Sequence, residues 1–208
     1  MLLDLHTHRP APYPEGIISV GTDDFHPMVG QLYSIGLHPW YLAATPDGVE
    51  KQCAALREVA SESCFAAIGE AGFDTIRGGA MMLQSLAFRC QVDLSEQLKK
   101  PLIIHCVKTQ DMVIAWRRES GATMPWIVHG FRGKPAAAAQ LLRAGCRLSF
   151  GPLFNPDTVR AVPAEMIFAE TDESKVSITE VITALSEARD EDMFPIIEAN
   201  LSNLFSSY

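Results

Sequence analysis

The chain has 208 residues, 48% hydrophobic and 20% charged, with 17 Lys and Arg against 25 Asp and Glu for a formal net charge of −8. That length is ample for a sizeable core, and the acidic balance disfavours a protein that holds nucleic acid by bulk charge. No apolar run approaches the roughly 18 residues of a membrane span, so no membrane-spanning helix is expected.

Strands are expected first over Leu2–His8, Gly16–Gly21 and Leu32–His38. Only 13 residues separate His8 from Gly21 and 17 separate Gly21 from His38, room for a strand and a turn but not a full helix. Pro10, Pro12 and Pro14 further discourage one. A helix over Asp47–Ser61 follows, with Val49, Cys53, Leu56 and Val59 at helical spacing, and then a strand over Phe65–Glu70. The next helix, Met82–Lys99, aligns Leu83, Leu86, Ala87, Cys90, Leu94 and Leu98 and stops at Lys99-Lys100 before Pro101. After a strand over Leu102–Val107 come a helix over Thr109–Glu119 and a strand over Trp126–Phe131. A helix over Pro135–Ala144 is followed by Gly145 at a capping position. Strands over Arg147–Gly151 and Met166–Asp172 come next, then helices over Ile178–Ala188 and Asp190–Phe205.

Short continuous apolar runs suit strands buried on both faces, and their alternation with helices implies a parallel sheet. Eight such strands predict a compact (β/α)8 TIM-type barrel whose first one or two helices are shortened or missing. No linker or repeat divides it, so a single domain over residues 1–208 is expected. The N-terminus shows no basic segment ahead of an apolar stretch, which points to a cytoplasmic protein. Cys53, Cys64, Cys90, Cys106 and Cys146 are odd in number and never spaced C-x-x-C, as expected of reduced thiols.

Five of the six histidines fall at the C-terminal ends of predicted strands: His6, His8, His38, His105 and His129. Glu70 and Asp172 do the same. In a β/α barrel those ends converge on the face that carries the chemistry, and the period of two in His6-Thr7-His8 puts both imidazoles on one side of the strand. A lone strand-end histidine is ordinarily a hydrogen-bonded core residue, and a strand-end carboxylate can cap the next helix. No structural rule makes six such groups recur together. Four imidazoles and two carboxylates without a thiolate suit Zn²⁺, Mn²⁺ or Mg²⁺. Two divalent metal ions sharing a carboxylate would generate hydroxide near neutral pH, which points to hydrolysis. His26 reads as a solvated loop residue beside Asp23 and Asp24. His38, in Gly36-Leu37-His38-Pro39-Trp40, has no evident partner and is assigned to substrate.

These motifs together resemble the TatD family of metal-dependent deoxyribonucleases, within the amidohydrolase-type barrel superfamily. The resemblance runs through Asp4-x-His6-x-His8, Gly36-Leu37-His38-Pro39, Ala67-Ile68-Gly69-Glu70-Ala71-Gly72-Phe73-Asp74 and Gln84-x3-Phe88-x2-Gln91. It continues with Pro101-Leu102-Ile103-Ile104-His105, His129-Gly130-Phe131-x-Gly133 and Glu170-Thr171-Asp172. It implies that His6, His8 and Asp172 hold one ion and that Glu70 bridges it to a second held with His105 and His129. It further implies that Asp172 takes the proton of the attacking water, a role open to a carboxylate kept ionised by a cation. The chain departs from the family pattern at Cys106-Val107-Lys108-Thr109, Gly130-Phe131-Arg132-Gly133 and Glu173-Ser174. All the ligands survive, so these departures bear on substrate choice.

The resulting expectation is a phosphodiesterase acting on DNA ends. Arg77, Lys108 and Arg132 would meet phosphate oxygens, and Trp40 and Tyr41 would stack on a base. Two divalent ions would offset half of the net charge of −8. The alternatives are a small-molecule hydrolase of amides, esters or phosphoesters using the same water, and a metal-stabilised protein without catalysis. Fold alone does not choose among them.

Overall fold

A computed structural model describes residues 2–9, 15–23 and 25–206. Eight parallel strands lie in sequence order in one sheet: β1 (Asp4–Thr7), β2 (Gly16–Val20), β3 (Leu32–Ile35), β4 (Phe65–Asp74), β5 (Leu102–Val107), β6 (Trp126–Val128), β7 (Cys146–Phe150) and β8 (Ile167–Ala169). The sheet closes where Thr7 pairs with Asp172 in parallel register. Asp172 N–H donates to His6 O at 2.9 Å and His8 N–H donates to Asp172 O at 3.3 Å. The strands are almost wholly buried, as the continuous apolar runs require.

The helices are α1 (Pro46–Val59), α2 (Met81–Leu98), α3 (Gln110–Glu119), α4 (Pro135–Arg143), α5 (Pro156–Ala161), α6 (Ile178–Arg189) and α7 (Phe194–Ser206). Thr45 caps α1 by accepting from Gly48 N–H, with Pro46 opening the first turn, and Val49, Cys53 and Leu56 face the barrel. Among the described residues no helix separates β1 from β2 or β2 from β3, as the short spacings predict. Pro10, Pro12, Pro14 and Asp24 lie outside the described residues. After β2 the chain lays Phe25 on this wall, 4.5 Å from the Phe65 ring and 5.3 Å from that of Tyr33. Met28 N–H donates to the Tyr33 hydroxyl at 2.9 Å. Aromatic packing thus stands where a helix would otherwise cover the strands.

Three local devices shape the barrel mouth. On β4, Ile68 pairs with Leu102 but Ala71 pairs with Ile104, so three steps on β4 oppose two on β5. This bulge re-aims Glu70. Gly72, at a φ of +151°, packs so close to β5 that a Cβ would collide with the His105 carbonyl. On α2, Gln91 clamps both main-chain groups of one residue: Leu37 N–H donates to its Oε1 at 2.8 Å and its Nε2 donates to Leu37 O at 3.2 Å. Gln84 does the same for Asp74, at 2.8 and 3.0 Å, and adds a bond to Gly79 O at 2.7 Å. The glutamines of the Gln84-x3-Phe88-x2-Gln91 pattern therefore tie the ends of β3 and β4 to one helix.

Candidate metal centre

Glu70, 5% exposed, stands at the middle of the mouth. Its Oε2 lies 3.2 Å from His6 Nε2 and 3.3 Å from His8 Nε2, so these two imidazoles do share one side of the chain. Its Oε1 lies 2.6 Å from His105 Nδ1, 2.7 Å from His129 Nε2 and 3.1 Å from His38 Nε2. Asp172 Oδ1 is 3.8 Å from His6 Nε2 and 3.6 Å from His8 Nε2. Asp172 takes a left-handed backbone, φ +53°, which Asp tolerates better than most residues. Every sequence-derived candidate ligand is thus brought together. His38, unpartnered in the sequence, joins them through Glu70.

The chemistry of this cluster fits a divalent cation. Ligand atoms of His6, His8 and Asp172 lie within 4.8 Å of one another, as do those of His6, Glu70 and His129 and those of His38, Glu70 and His105. His6 is 0% exposed, and neither of its ring nitrogens has a hydrogen-bond partner. A buried ring nitrogen without a hydrogen bond costs about 1–3 kcal/mol, a penalty that coordination through Nε2, the nitrogen facing Glu70, would remove at that atom. Burial pushes the Glu70 carboxyl up, but the facing imidazoles of His129, His105 and His38 outweigh it and hold Glu70 well below the usual carboxylate range. Burial lowers His129, yet the Glu70 and Glu170 carboxylates raise it well above an ordinary imidazole. The hydrogen bond to Glu70 raises His8, whereas burial lowers His38. An anionic carboxylate fixed inside a ring of imidazoles is a donor set for Zn²⁺, Mn²⁺ or Mg²⁺.

Behind the ligands stands a layer of carboxylates to which the sequence reading assigned no role. Asp74 Oδ2 faces His105 Nε2 at 3.2 Å and accepts from Trp40 Nε1–H at 2.6 Å, while Oδ1 accepts from Ile76 N–H and Arg77 N–H at 2.7 and 2.9 Å. Burial opposes its ionisation, but the Arg77, Trp40, Ile76 and His105 hydrogen bonds prevail and hold Asp74 at about 2. An acceptor at this position favours hydrogen on Nε2 of His105, whose Nδ1 is turned to the centre. Glu170 Oε1 lies 3.3 Å from His129 Nδ1 and accepts from Gly130 N–H at 2.7 Å, orienting His129 in the same way. Asp4 accepts from His6 N–H and Thr171 N–H at 3.2 and 3.0 Å, tying β1 to the end of β8. Burial pushes its carboxyl up to about 7 against those bonds. Each sits within two to four residues of a recognised ligand or motif end, inside an apolar run. That placement, inside the motifs Asp4-x-His6-x-His8, Ala67–Asp74 and Glu170-Thr171-Asp172, is the signal of them that the sequence carries.

Two cavities open onto the centre and share Trp40, His105, His129, Asp172 and Glu173. A compact one of about 370 Å³ extends over β2 and β3, past Thr22, Asp23, His38 and Tyr41. A larger one of about 1130 Å³ extends over β5 and β6 and is lined by Lys108 and Arg132. The Arg77 guanidinium lies 3.5 Å over the centroid of the Trp40 ring, so one face of that indole is already taken. Tyr41 is 74% exposed at the compact rim. His26 is exposed on its loop, and all five cysteines are free. Among the described residues no helix is long and apolar enough to cross a membrane.

A family model described as TatD related DNase matches residues 29–206. An uncharacterized metal-dependent hydrolase from Buchnera aphidicola subsp. Baizongia pistaciae is 29% identical over 155 residues, covering 70% of this chain and 57% of that protein. The 3'-5' ssDNA/RNA exonuclease TatD of Yersinia pseudotuberculosis is 28% identical over 133 residues, 57% of this chain and 49% of that one. The chain therefore spans about half the length of the curated relatives it matches. The crystal structure of the TatD homolog YJJV from Escherichia coli K12 superposes with a TM-score of 0.78 at 19% identity, covering 98% of this chain and 97% of that one. This likeness establishes the barrel fold.

Proposed function

Because the chain belongs to the TatD-related DNase family, we propose that it is a metal-dependent hydrolase, acting as a single domain, that removes nucleotides from DNA ends. The observation that carries the reading is the Glu70 carboxylate ringed by five imidazoles, with the buried His6 nitrogens making no hydrogen bond. His6, His8 and Asp172 would hold one divalent ion, and Glu70, His105 and His129 a second, with Glu70 between them. When bound, the ions lower the pKa of water and neutralise charge developing on phosphate oxygens.

The chain's own residues supply the rest. Asp172, a half-buried carboxylate whose Oδ1 faces His6 and His8, accepts the proton of the attacking water. Asp74 and Glu170 fix the rings of His105 and His129. His38, fixed by Glu70, presents its edge to the compact cavity. Lys108 and Arg132 line the path along which further phosphates lie. The formal charge of −8 favours few phosphate contacts over tight non-specific binding. The compact cavity of about 370 Å³ supports a second reading, hydrolysis of a small phosphoester by the same groups.

The test uses wild type and Asp172→Asn, stripped of metal and reloaded with Mg²⁺, Mn²⁺ or Zn²⁺ separately. Each is offered an end-labelled single-stranded oligonucleotide and a chromogenic phosphodiester. Metal-dependent shortening from one end, abolished by Asp172→Asn, is expected. Cleavage of the chromogenic diester alone moves the substrate to a small phosphoester. If metal binds and neither is cut, the phosphodiesterase reading fails.

A further inference from the structure

The two cavities at the mouth differ in where their cations lie. Lys108 and Arg132 line the larger one, together with Asp111. Among the described residues lining the compact one there is no Lys or Arg, and Asp23 and Glu173 stand there as exposed acids. Its imidazoles, those of His8, His38, His105 and His129, are all directed at Glu70. What remains for a ligand is neutral: Ser19, Thr22, the Tyr41 ring and the wall of Trp40.

Trp40 separates the two lobes and is rigidly held. Its N–H bonds Asp74 at 2.6 Å and its face carries the Arg77 guanidinium at 3.5 Å. Gln52 fixes the neighbouring turn, accepting from Ala43 N–H at 2.9 Å and donating to Tyr41 O at 3.0 Å. Lys108 is placed at the other lobe by a left-handed backbone, φ +58°. A strand whose scissile phosphate sits at the shared centre can therefore direct its charged chain only toward Lys108 and Arg132. Its terminal residue occupies a lobe of about 370 Å³, suited to one nucleoside. A terminal phosphate monoester carries about −1.5 to −2 charges at pH 7, and in this lobe it would meet Asp23 and Glu173 with no Lys or Arg among the described lining residues to offset them.

Resting on the proposed nuclease reading, we infer that the compact lobe selects its substrate by the chemistry of the end. It accepts a terminal residue with a free hydroxyl and rejects one bearing a terminal phosphate. Asp23 is the discriminating acid that belongs to this lobe alone.

The experiment compares internally labelled single-stranded oligonucleotides, with hydroxyl or phosphate at the 5' end crossed with hydroxyl or phosphate at the 3' end, using metal-loaded protein. A phosphate at the end from which cleavage starts should slow it at least about tenfold, the scale of like-charge repulsion at close range in water. A phosphate at the other end should have no effect. Asp23→Lys should shrink the hydroxyl-to-phosphate rate ratio at the sensitive end several-fold. Because the readout is a ratio within one variant, partial loss of folded protein cancels. Equal rates on all four substrates overturn the inference while leaving the nuclease reading intact, and so does a ratio that Asp23→Lys leaves unchanged. Failure to cut any of the four refutes the nuclease reading, and this inference with it.

Discussion

Replacing Asp74 with Asn changes one oxygen to an amide nitrogen, yet its four donors make that change severe. Ile76 N–H and Arg77 N–H meet Oδ1, and Trp40 Nε1–H and His105 Nε2 meet Oδ2. An amide offers one acceptor oxygen, so whichever way it is turned its NH2 group faces two donors. Asp74 is 1% exposed, so water cannot take their place. A hydrogen bond to an ionised acceptor contributes about 1.5–3 kcal/mol and a stranded buried donor costs about 1–3 kcal/mol. Two stranded donors give a loss of roughly 4 kcal/mol. At about 2–4 °C per kcal/mol for a domain of this size, the metal-free protein should melt roughly 10 °C lower. His105 also loses the partner that turns Nδ1 to the centre, so divalent-ion affinity should fall about 10–100-fold. Scanning calorimetry of chelator-treated protein reads the first effect, and isothermal titration with Mn²⁺ reads the second. A variant that melts within about 2 °C of wild type and binds Mn²⁺ equally tightly would refute the assignment of Asp74.

Gln91→Leu strands the buried N–H and C=O of Leu37, and urea unfolding should show a loss of roughly 2–4 kcal/mol. Activity should fall too, because Leu37 carries His38. Glu96 accepts from Met124 N–H, Thr123 Oγ1 and Thr123 N–H, and although burial pushes its carboxyl up, these bonds hold it below the ordinary value of 4.5. Its stabilisation is therefore complete above pH 4.5 and is lost as the pH falls below it. Urea midpoints measured across that range should decline less steeply in Glu96→Gln. Lys108→Gly relieves a left-handed backbone worth about 1–2 kcal/mol, so it should melt slightly higher, while Lys108→Ala should not. Calorimetry of the two variants side by side separates backbone strain from loss of the side chain.

The barrel was legible because its signal is repeated: apolar strands buried on both faces read as continuous runs, and all eight lie where those runs stand. The boundaries were less so. A strand ending at Glu70 follows from an apolar run that stops at a charge, but Glu70 is taken up by the bulge after Ile68 and β4 continues to Asp74. Helix α5 has six residues, with Asn155 capping it, too short to show a helical repeat. The expected tail helix from Asp190 begins instead at Phe194, because Asp190 takes the left-handed conformation that ends α6. The cluster of candidate ligands was legible because packing alone gives imidazoles no reason to recur at strand ends. The roles of Asp74 and Glu170 were not, since a carboxylate that orients an imidazole looks in sequence like any other acid of its motif. The pairing of His38 with Glu70 depends on how β3 and β4 are set side by side, which spacing along the chain does not encode.

The two glutamines of α2 give the mouth unequal freedom to vary. Because Gln91 holds Leu37 and Gln84 holds Asp74, one rigid rod fixes the spacing between the loop that carries His38 and Trp40 and the support of His105. Those two walls shift only together, whenever the helix itself shifts. The loop after β6 is held at Gly130 by Glu170 and at Gly133 by Thr158 of α5, whereas among the described residues no side chain from a neighbouring helix bonds the main chain of Cys106, Lys108 or Arg132. Changes after β5 and β6 can therefore reshape what the mouth accepts without disturbing the geometry of its imidazoles. That half of the rim is where substrate range can drift during divergence, and where redesign would best begin.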